Sequence, residues 1–247
     1  MSPLELDPEK DALFLDMDGT LIDIAPRPED VFAPEKLIRS LEALQCELNG
    51  ALAIISGRPI TSIDALLAPL HLPASGIHGA EIRFTRDSGI KRLAPPIPSG
   101  VRWMLAPLAS IPGVLIEDKT VAIAVHFRQA PGAAEQVGET VRAAVAANKA
   151  DQLIVVPGKC VYEIKSAQFT KGTAVAEFMA RQPWKGRRPV FIGDDVTDEA
   201  AFAVLPRWKG KGIAVGQDRP GAVARFQSAA EVRDWLASLV VRQEATT

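Results

Sequence analysis

Four short runs in the chain are apolar at almost every position: "ALFLD" (12–16), "ALAIIS" (51–56), "PVFIGDD" (189–195) and "GIAVG" (212–216). A strand with one wet face alternates apolar and polar residues, so a run without alternation needs cover on both faces. Parallel strands joined by crossing helices give such cover. The intervening segments supply the helices. "APEKLIRSLEALQCEL" (33–48) carries Pro34 at a first-turn position and sets Leu37, Ile38, Leu41, Leu44 and Leu48 on one face. "ITSIDALLAPL" predicts a second helix, "PASGI" another short strand, and helices are expected over 170–181, 196–204 and 229–241. The predicted fold class is α/β, with a parallel, Rossmann-like core sheet and helices on both of its faces.

The pattern changes after about residue 82. "RFTRDSGIKRLAPPIPSG" is turn-rich, a helical stretch follows (99–110), and "GVLIEDK" and "VAIAVHFR" are close enough to pair as an antiparallel hairpin. The Ala-rich "GAAEQVGETVRAAVAANKA" reads as a helix, and "QLIVVP" and "VYEIK" as strands. A small α+β domain is therefore expected over 88–165, inserted between core segments 1–87 and 166–247. The four tryptophans, Trp103, Trp184, Trp208 and Trp235, are expected to pack inside, and the "EATT" tail to be unstructured.

Charge and composition exclude several partners. With 28 Lys and Arg against 30 Asp and Glu, the net charge is -2 and no basic block occurs. Neither a nucleic acid nor an anionic membrane is expected to bind. The 2 cysteines, Cys46 and Cys160, lie far apart in no metal-binding spacing, which fits a reducing compartment. "MSPLELDPEKD" is acidic and interrupted by prolines, unlike a signal peptide, and no apolar run approaches the roughly 20 residues of a membrane span. A cytoplasmic protein is expected.

In a parallel α/β sheet, ligands bind beyond the carboxyl ends of the strands. Three runs deliver polar groups to that edge: Asp16 and Asp18 in "DMDGT", Ser56 in "SGR", and Asp194 and Asp195 in "GDDVTDE". Each piece alone has an ordinary explanation. Asp-x-Asp-Gly occurs in solvated turns and calcium loops, and acidic residues complement a helix N-terminus. Together the carboxylates offer hard oxygen ligands suited to Mg²⁺, and a dication offsets their mutual repulsion. Asp16 is then placed to attack phosphorus, and Asp18 to move a proton to the leaving oxygen and from water. Ser56 and Lys171 supply a hydroxyl and a fixed positive charge for phosphoryl oxygens, with Thr170 a candidate N-cap for the helix Lys171 begins.

"DMDGT", "SGR", "TKG" and "GDDVTDE", in that order, resemble the four motifs of the haloacid dehalogenase phosphatase superfamily, and the insertion resembles its type-2 cap. The resemblance implies Asp16 as nucleophile and Asp18 as general acid and base. It implies Mg²⁺ held by the Asp16 carboxylate, the Asp18 carbonyl and Asp194. Ser56, Gly57 and Lys171 would hold phosphate, with Asp195 and Asp198 supporting the metal and Lys171 from behind. "GIHGAEIR" (76–83), "IEDKTVAIAVHFR" (116–128) and "VYEIK" (161–165) narrow this to a resemblance to the trehalose-6-phosphate phosphatase family. That family's cap residues point to Glu117, Lys119 and Glu163 as contacts to sugar hydroxyls, which carboxylates and ammonium groups recognise well. Arg58 and His78, in the core, are further candidates for the substrate or its phosphate. Phe127 and Lys165–Ser166 depart from the family pattern, which has Tyr and an early Pro there. The implied substrate is a small sugar phosphate, with a trehalose-6-phosphate synthase as pathway partner. The alternatives are another sugar phosphate, of the sucrose or glycosylglycerate type, or a non-catalytic sugar-phosphate-binding module.

Overall fold

The computed structural model describes residues 5–24, 31–148 and 152–244. Of the tail expected to be unstructured, 245–247 lie outside the described residues. The described residues up to Lys91 and from Thr170 onward form one compact unit, and Arg92–Phe169 form a second.

Strands of the first sheet, numbered along the chain, are β1 (Asp11–Leu15), β2 (Leu52–Ile55), β3 (Ala74–Gly76), β4 (Glu81–Arg83), β5 (Lys91–Arg92), β10 (Arg188–Gly193), β11 (Lys211–Val215) and β12 (Ala222–Phe226). Among the described residues they form one eight-stranded sheet in the order β12-β11-β10-β1-β2-β3-β4-β5. The pairs from β12 to β3 are all parallel. β4 turns back antiparallel to β3. The unalternating runs behave as their composition requires: every residue of β1 and β2 is buried. β1 sits between β2 on one side and β10 on the other, so the chain leaves it in one direction and returns from the opposite one. That reversal opens a crevice beyond the strand ends.

Helices α1 (Glu35–Glu47), α2 (Ile60–Leu67), α5 (Lys171–Met179), α6 (Glu199–Phe202) and α7 (Ala229–Glu244) flank this sheet, α1 packing beside α7 and α5 beside α6. α1 buries Leu37, Leu41 and Leu44, the stripe read from its periodicity. Phe178 of α5 meets Phe14, Phe84 and Trp184 at ring-centroid distances of 5.9, 5.4 and 4.7 Å. Burying each such ring contributes about 1.5–3 kcal/mol. These contacts fix α5, and with it Lys171, against the sheet. Among the described residues no helix is long and apolar enough to cross a membrane.

The second unit has an antiparallel sheet of β6 (Leu115–Asp118), β7 (Ala122–His126), β8 (Leu153–Gly158) and β9 (Val161–Ser166), in the order β6-β7-β9-β8. Ile123, Val125 and Ile164 pack in one cluster with Val101 and Leu105 of α3 (Ser99–Leu105) and with Val137, Val141 and Ala144 of α4 (Ala134–Ala147). Side chains alternate along a strand, so Glu117, Ala124 and Glu163, paired in register, share the opposite face. Trp103 corrects an expectation: it is 79% exposed. Val101 and Leu105 turn into the core, and a residue two positions from each points roughly 200° away. Trp184 and Trp235 are buried, and Trp208 packs against the core half-buried.

Candidate active site

Three neighbouring strands end at one place. Asp16 follows β1, Ser56 follows β2 and Asp194 follows β10. The Asp16 amide still donates to Ile192 O (2.9 Å), and the Ser56 amide to Ser75 O (2.9 Å). Sheet hydrogen bonding therefore sets where both side chains start. Lys171 reaches the same point from the first turn of α5, whose N-cap is Thr170, accepting the Thr173 amide. The Lys171 ammonium lies 2.7 Å from Asp16 Oδ1 and 2.6 Å from Asp198 Oδ1. All three side chains are buried. Burial opposes the charge on Lys171, but Asp16 and Asp198 outweigh it and hold the ammonium above its usual range. Burial pushes the Asp16 carboxyl well up, Lys171 opposes this, and Asp198 and Asp194 add to it.

Asp18 is turned the other way. Arg58 grips it as a fork, Nε to Oδ2 and Nη2 to Oδ1, both at 2.6 Å. Ser56 Oγ accepts the Arg58 amide (3.1 Å), so its own hydroxyl hydrogen is left to point elsewhere. Gly57 is required by close approach: a Cβ there would lie 2.6 Å from the His78 ring, which covers this loop. His78 itself holds a left-handed backbone, φ 55° and ψ 32°. Gly19 has φ +79°, and a Cβ on it would come within 2.2 Å of Asp194 Oδ2. Only glycine fits both the turn and the carboxylate behind it.

Asp16, Asp194 and Asp198 offer carboxylate oxygens that all lie within 4.8 Å of one another. Three carboxylates face a single ammonium there, and burial, with Asp198 next, raises Asp194 to about 6. Hard oxygen donors with an unbalanced negative charge fit a small divalent cation such as Mg²⁺. Asp198 is more central than expected. It is fully buried, and it accepts from Lys171 on one oxygen and from the Asp195 amide (2.9 Å) on the other. Asp195 turns its carboxylate onto the Val196 amide, capping the short helix that follows.

The raised Asp194 gives a test that needs no substrate. Between about pH 4 and 6 the folded metal-free protein holds a proton that the unfolded chain has released. Stability from this group is full below that window and lost as pH rises through it. In EDTA, Asp194→Asn should therefore raise the melting temperature at pH 7.5 by about 2–4 °C. The difference from wild type should shrink towards pH 5. A variant less stable than wild type at pH 7.5 would show that Asp194 is compensated without metal.

In the second unit, Lys119 Nζ lies 2.9 Å from Glu163 Oε1 and 4.0 Å from Glu117 Oε2. His126 Nε2 lies 3.1 Å from the same Glu117 oxygen. Hydrogen bonding to His126 lowers the Glu117 carboxyl, against the opposing effect of burial. Ala124, between Glu117 and Glu163 in the register, keeps this polar row free of bulk. Thus Asp16, Lys171, Asp194 and Asp198 converge, Asp18, Ser56, Gly57, Arg58 and His78 form an adjoining group, and Glu117, Lys119 and Glu163 cluster in the other unit. Sequence reasoning missed three neighbours of these groups. Thr20 donates to Asp194 Oδ1 (3.3 Å), Arg219 donates to Asp194 O (2.9 Å), and His126 engages Glu117. Thr20 and His126 sat inside quoted motifs, whereas Arg219 had no local signal.

The family model described as trehalose-phosphatase matches residues 14–228, spanning both units. The chain belongs to the trehalose-phosphatase family. It is accordingly a phosphatase, as its motif order suggested. It is similar to the trehalose-6-phosphate phosphatase of Escherichia coli (strain K12), with 38% identity over 95% of this chain and 89% of that one. A probable trehalose-phosphate phosphatase of Sinorhizobium fredii is 39% identical over 98% of this chain and 92% of that one. The solved C-terminal domain of a C. albicans trehalose-6-phosphate phosphatase superposes with a TM-score of 0.79. It has 22% identity and covers 94% of this chain and 92% of that one, a likeness of fold. Both the superfamily fold and the family read from the motifs are borne out.

Proposed function

We propose that the chain hydrolyses trehalose 6-phosphate to trehalose and inorganic phosphate, through an aspartyl-phosphate on Asp16 and with Mg²⁺. The observation that carries the reading is the buried Lys171 ammonium bridging Asp16, at the end of β1, and Asp198, in the short helix after β10, in a chain of the trehalose-phosphatase family. Asp16 attacks phosphorus, and the bond from phosphorus to the sugar oxygen breaks. Asp18 gives that oxygen a proton. In the second half Asp18 takes a proton from water, which attacks the same phosphorus and returns Asp16 to a free carboxylate. Because Arg58 occupies both Asp18 oxygens, the first half requires it to release one of them. Lys171 and the Ser56 hydroxyl hold phosphoryl oxygens as negative charge moves onto them. The Asp16 and Asp194 carboxylates and the Asp18 carbonyl would hold Mg²⁺, which when bound adds positive charge beside the phosphoryl group.

Phosphate release from trehalose 6-phosphate, sucrose 6-phosphate, glucose 6-phosphate and an aryl phosphate, each with Mg²⁺ and with EDTA, tests the whole reading. Strong preference for the first, lost in EDTA, is expected. Activity favouring another sugar would keep the Asp16 chemistry and discard the substrate.

Glu117, Lys119 and Glu163 are assigned to the sugar hydroxyls. Glu163→Ala should lower kcat/KM on trehalose 6-phosphate by about 10- to 100-fold, the worth of charged hydrogen bonds. The aryl phosphate, which has no sugar, should lose little. Equal losses on the two substrates would remove Glu163 from sugar recognition.

A further inference from the structure

The segment from β3 into β4, residues 76–81, contains a buried acid that the reaction above does not use. Glu81 is 7% exposed, and its Oε1 accepts the amide of Ile60, the first residue of α2. Pro59, before it, provides no side-chain cap. Gly76 makes room for this reach, since a Cβ there would lie 2.6 Å from Glu81 Oε1 and 2.7 Å from Arg58 O. Between these two positions, Ile77, His78 and Gly79 all have positive φ, at 50°, 55° and 104°. For β-branched Ile77 that conformation is strained and persists only where the surroundings over-determine it.

The surroundings are the phosphate-holding elements themselves. The Ile77 amide donates to Arg58 O (3.1 Å) and the His78 amide to Ser56 O (3.0 Å). Ser75 Oγ donates to Glu81 O (2.9 Å), closing the base of the strap. On its other side Gly79 approaches α5, where a Cβ would lie 2.6 Å from Thr170 O, one residue before Lys171. One strained strap therefore touches both the Ser56–Arg58 loop and the start of the helix bearing Lys171.

We propose that Glu81 is a positioning residue for phosphate binding: by tying the N-terminus of α2 to β4, it holds the left-handed strap against Ser56, Arg58 and Thr170. The inference rests on the reading that Ser56 and Lys171 hold the phosphoryl group. Its lever is reach. Ile60 is two residues from Arg58, so releasing the Ile60 amide frees the loop that carries the Ser56 hydroxyl and the fork on Asp18.

Two conservative substitutions avoid the cavity that alanine would leave. Glu81→Asp keeps the acid but falls one methylene short of Ile60, whereas Glu81→Gln keeps the reach. The inhibition constant of inorganic phosphate should rise about tenfold in Glu81→Asp and stay within about threefold of wild type in Glu81→Gln. In Glu81→Asp, kcat/KM should fall alike on trehalose 6-phosphate and on an aryl phosphate. A helix cap with no further role would lower the melting temperature without moving the inhibition constant. An inhibition constant unchanged in Glu81→Asp, or equal losses in both variants, would overturn the proposal. A wild-type protein that neither releases phosphate nor is inhibited by it would instead overturn the reading on which the proposal rests.

Discussion

Asp16→Asn should lower phosphate release by about 10⁴-fold or more, the scale seen when a covalent nucleophile is removed. The amide matches the carboxylate in size, and its carbonyl still accepts from Lys171, which lies 2.7 Å from Oδ1. What it lacks is an oxygen able to attack phosphorus. The variant should therefore fold, and should bind inorganic phosphate while failing to turn over any substrate of the panel. Circular dichroism and thermal melting separate this from unfolding. Retained turnover in a folded variant would move the nucleophile to another residue and leave Asp16 a metal ligand only.

Lys171→Met should injure both activity and stability. Removing a fixed positive charge from phosphoryl oxygens costs about 10²–10³-fold in kcat. The substitution also leaves Asp16 and Asp198, 4% and 0% exposed, facing each other with no counter-charge. Breaking a buried ion pair by removing one partner destabilises by about 3–5 kcal/mol. At about 2–4 °C per kcal/mol for a chain of this size, the melting temperature in EDTA should fall by about 6–20 °C. Adding Asp198→Asn should restore much of that stability and none of the activity. A folded Lys171→Met with an unchanged melting temperature would contradict the buried pairing. One that melts early yet keeps its turnover would remove Lys171 from phosphate binding.

The legible part of the site was the part announced by short-range pattern. Asp16, Ser56 and Asp194 each end an unalternating apolar run, so burial on both faces placed them at strand ends before any contact was known. Lys171 was legible through Thr170, a helix start whose capping chemistry is local. Arg58 and Asp18 are different. Forty residues separate them, and nothing in "SGR" says that its arginine closes on the carboxylate beyond the neighbouring strand rather than on substrate. Asp198 was assigned a supporting place because its motif position gives order but not depth. Its 2.6 Å contact with Lys171 comes from two helix starts meeting in space. Among the strands, β12 was missed because it is an edge strand built mostly of small residues, with only Phe226 of "AVARF" buried. Trp103 was misplaced because bulk alone was weighed, without the helical face it occupies.

The placement of Asp16 and Ser56 in the ladder has a consequence for isotope labelling. Their amides donate to Ile192 O and Ser75 O, and β1 is flanked on both sides by parallel partners. Deuterium reaches such amides only when the sheet itself opens, so they belong to the slowest-exchanging class in the chain. The rate at which these two positions take up label is then a clock for opening of the whole sheet. In a pulse of D₂O the exposed loop around Arg86 and Asp87 should label first, while the two residues that begin the site keep their protium until the sheet opens.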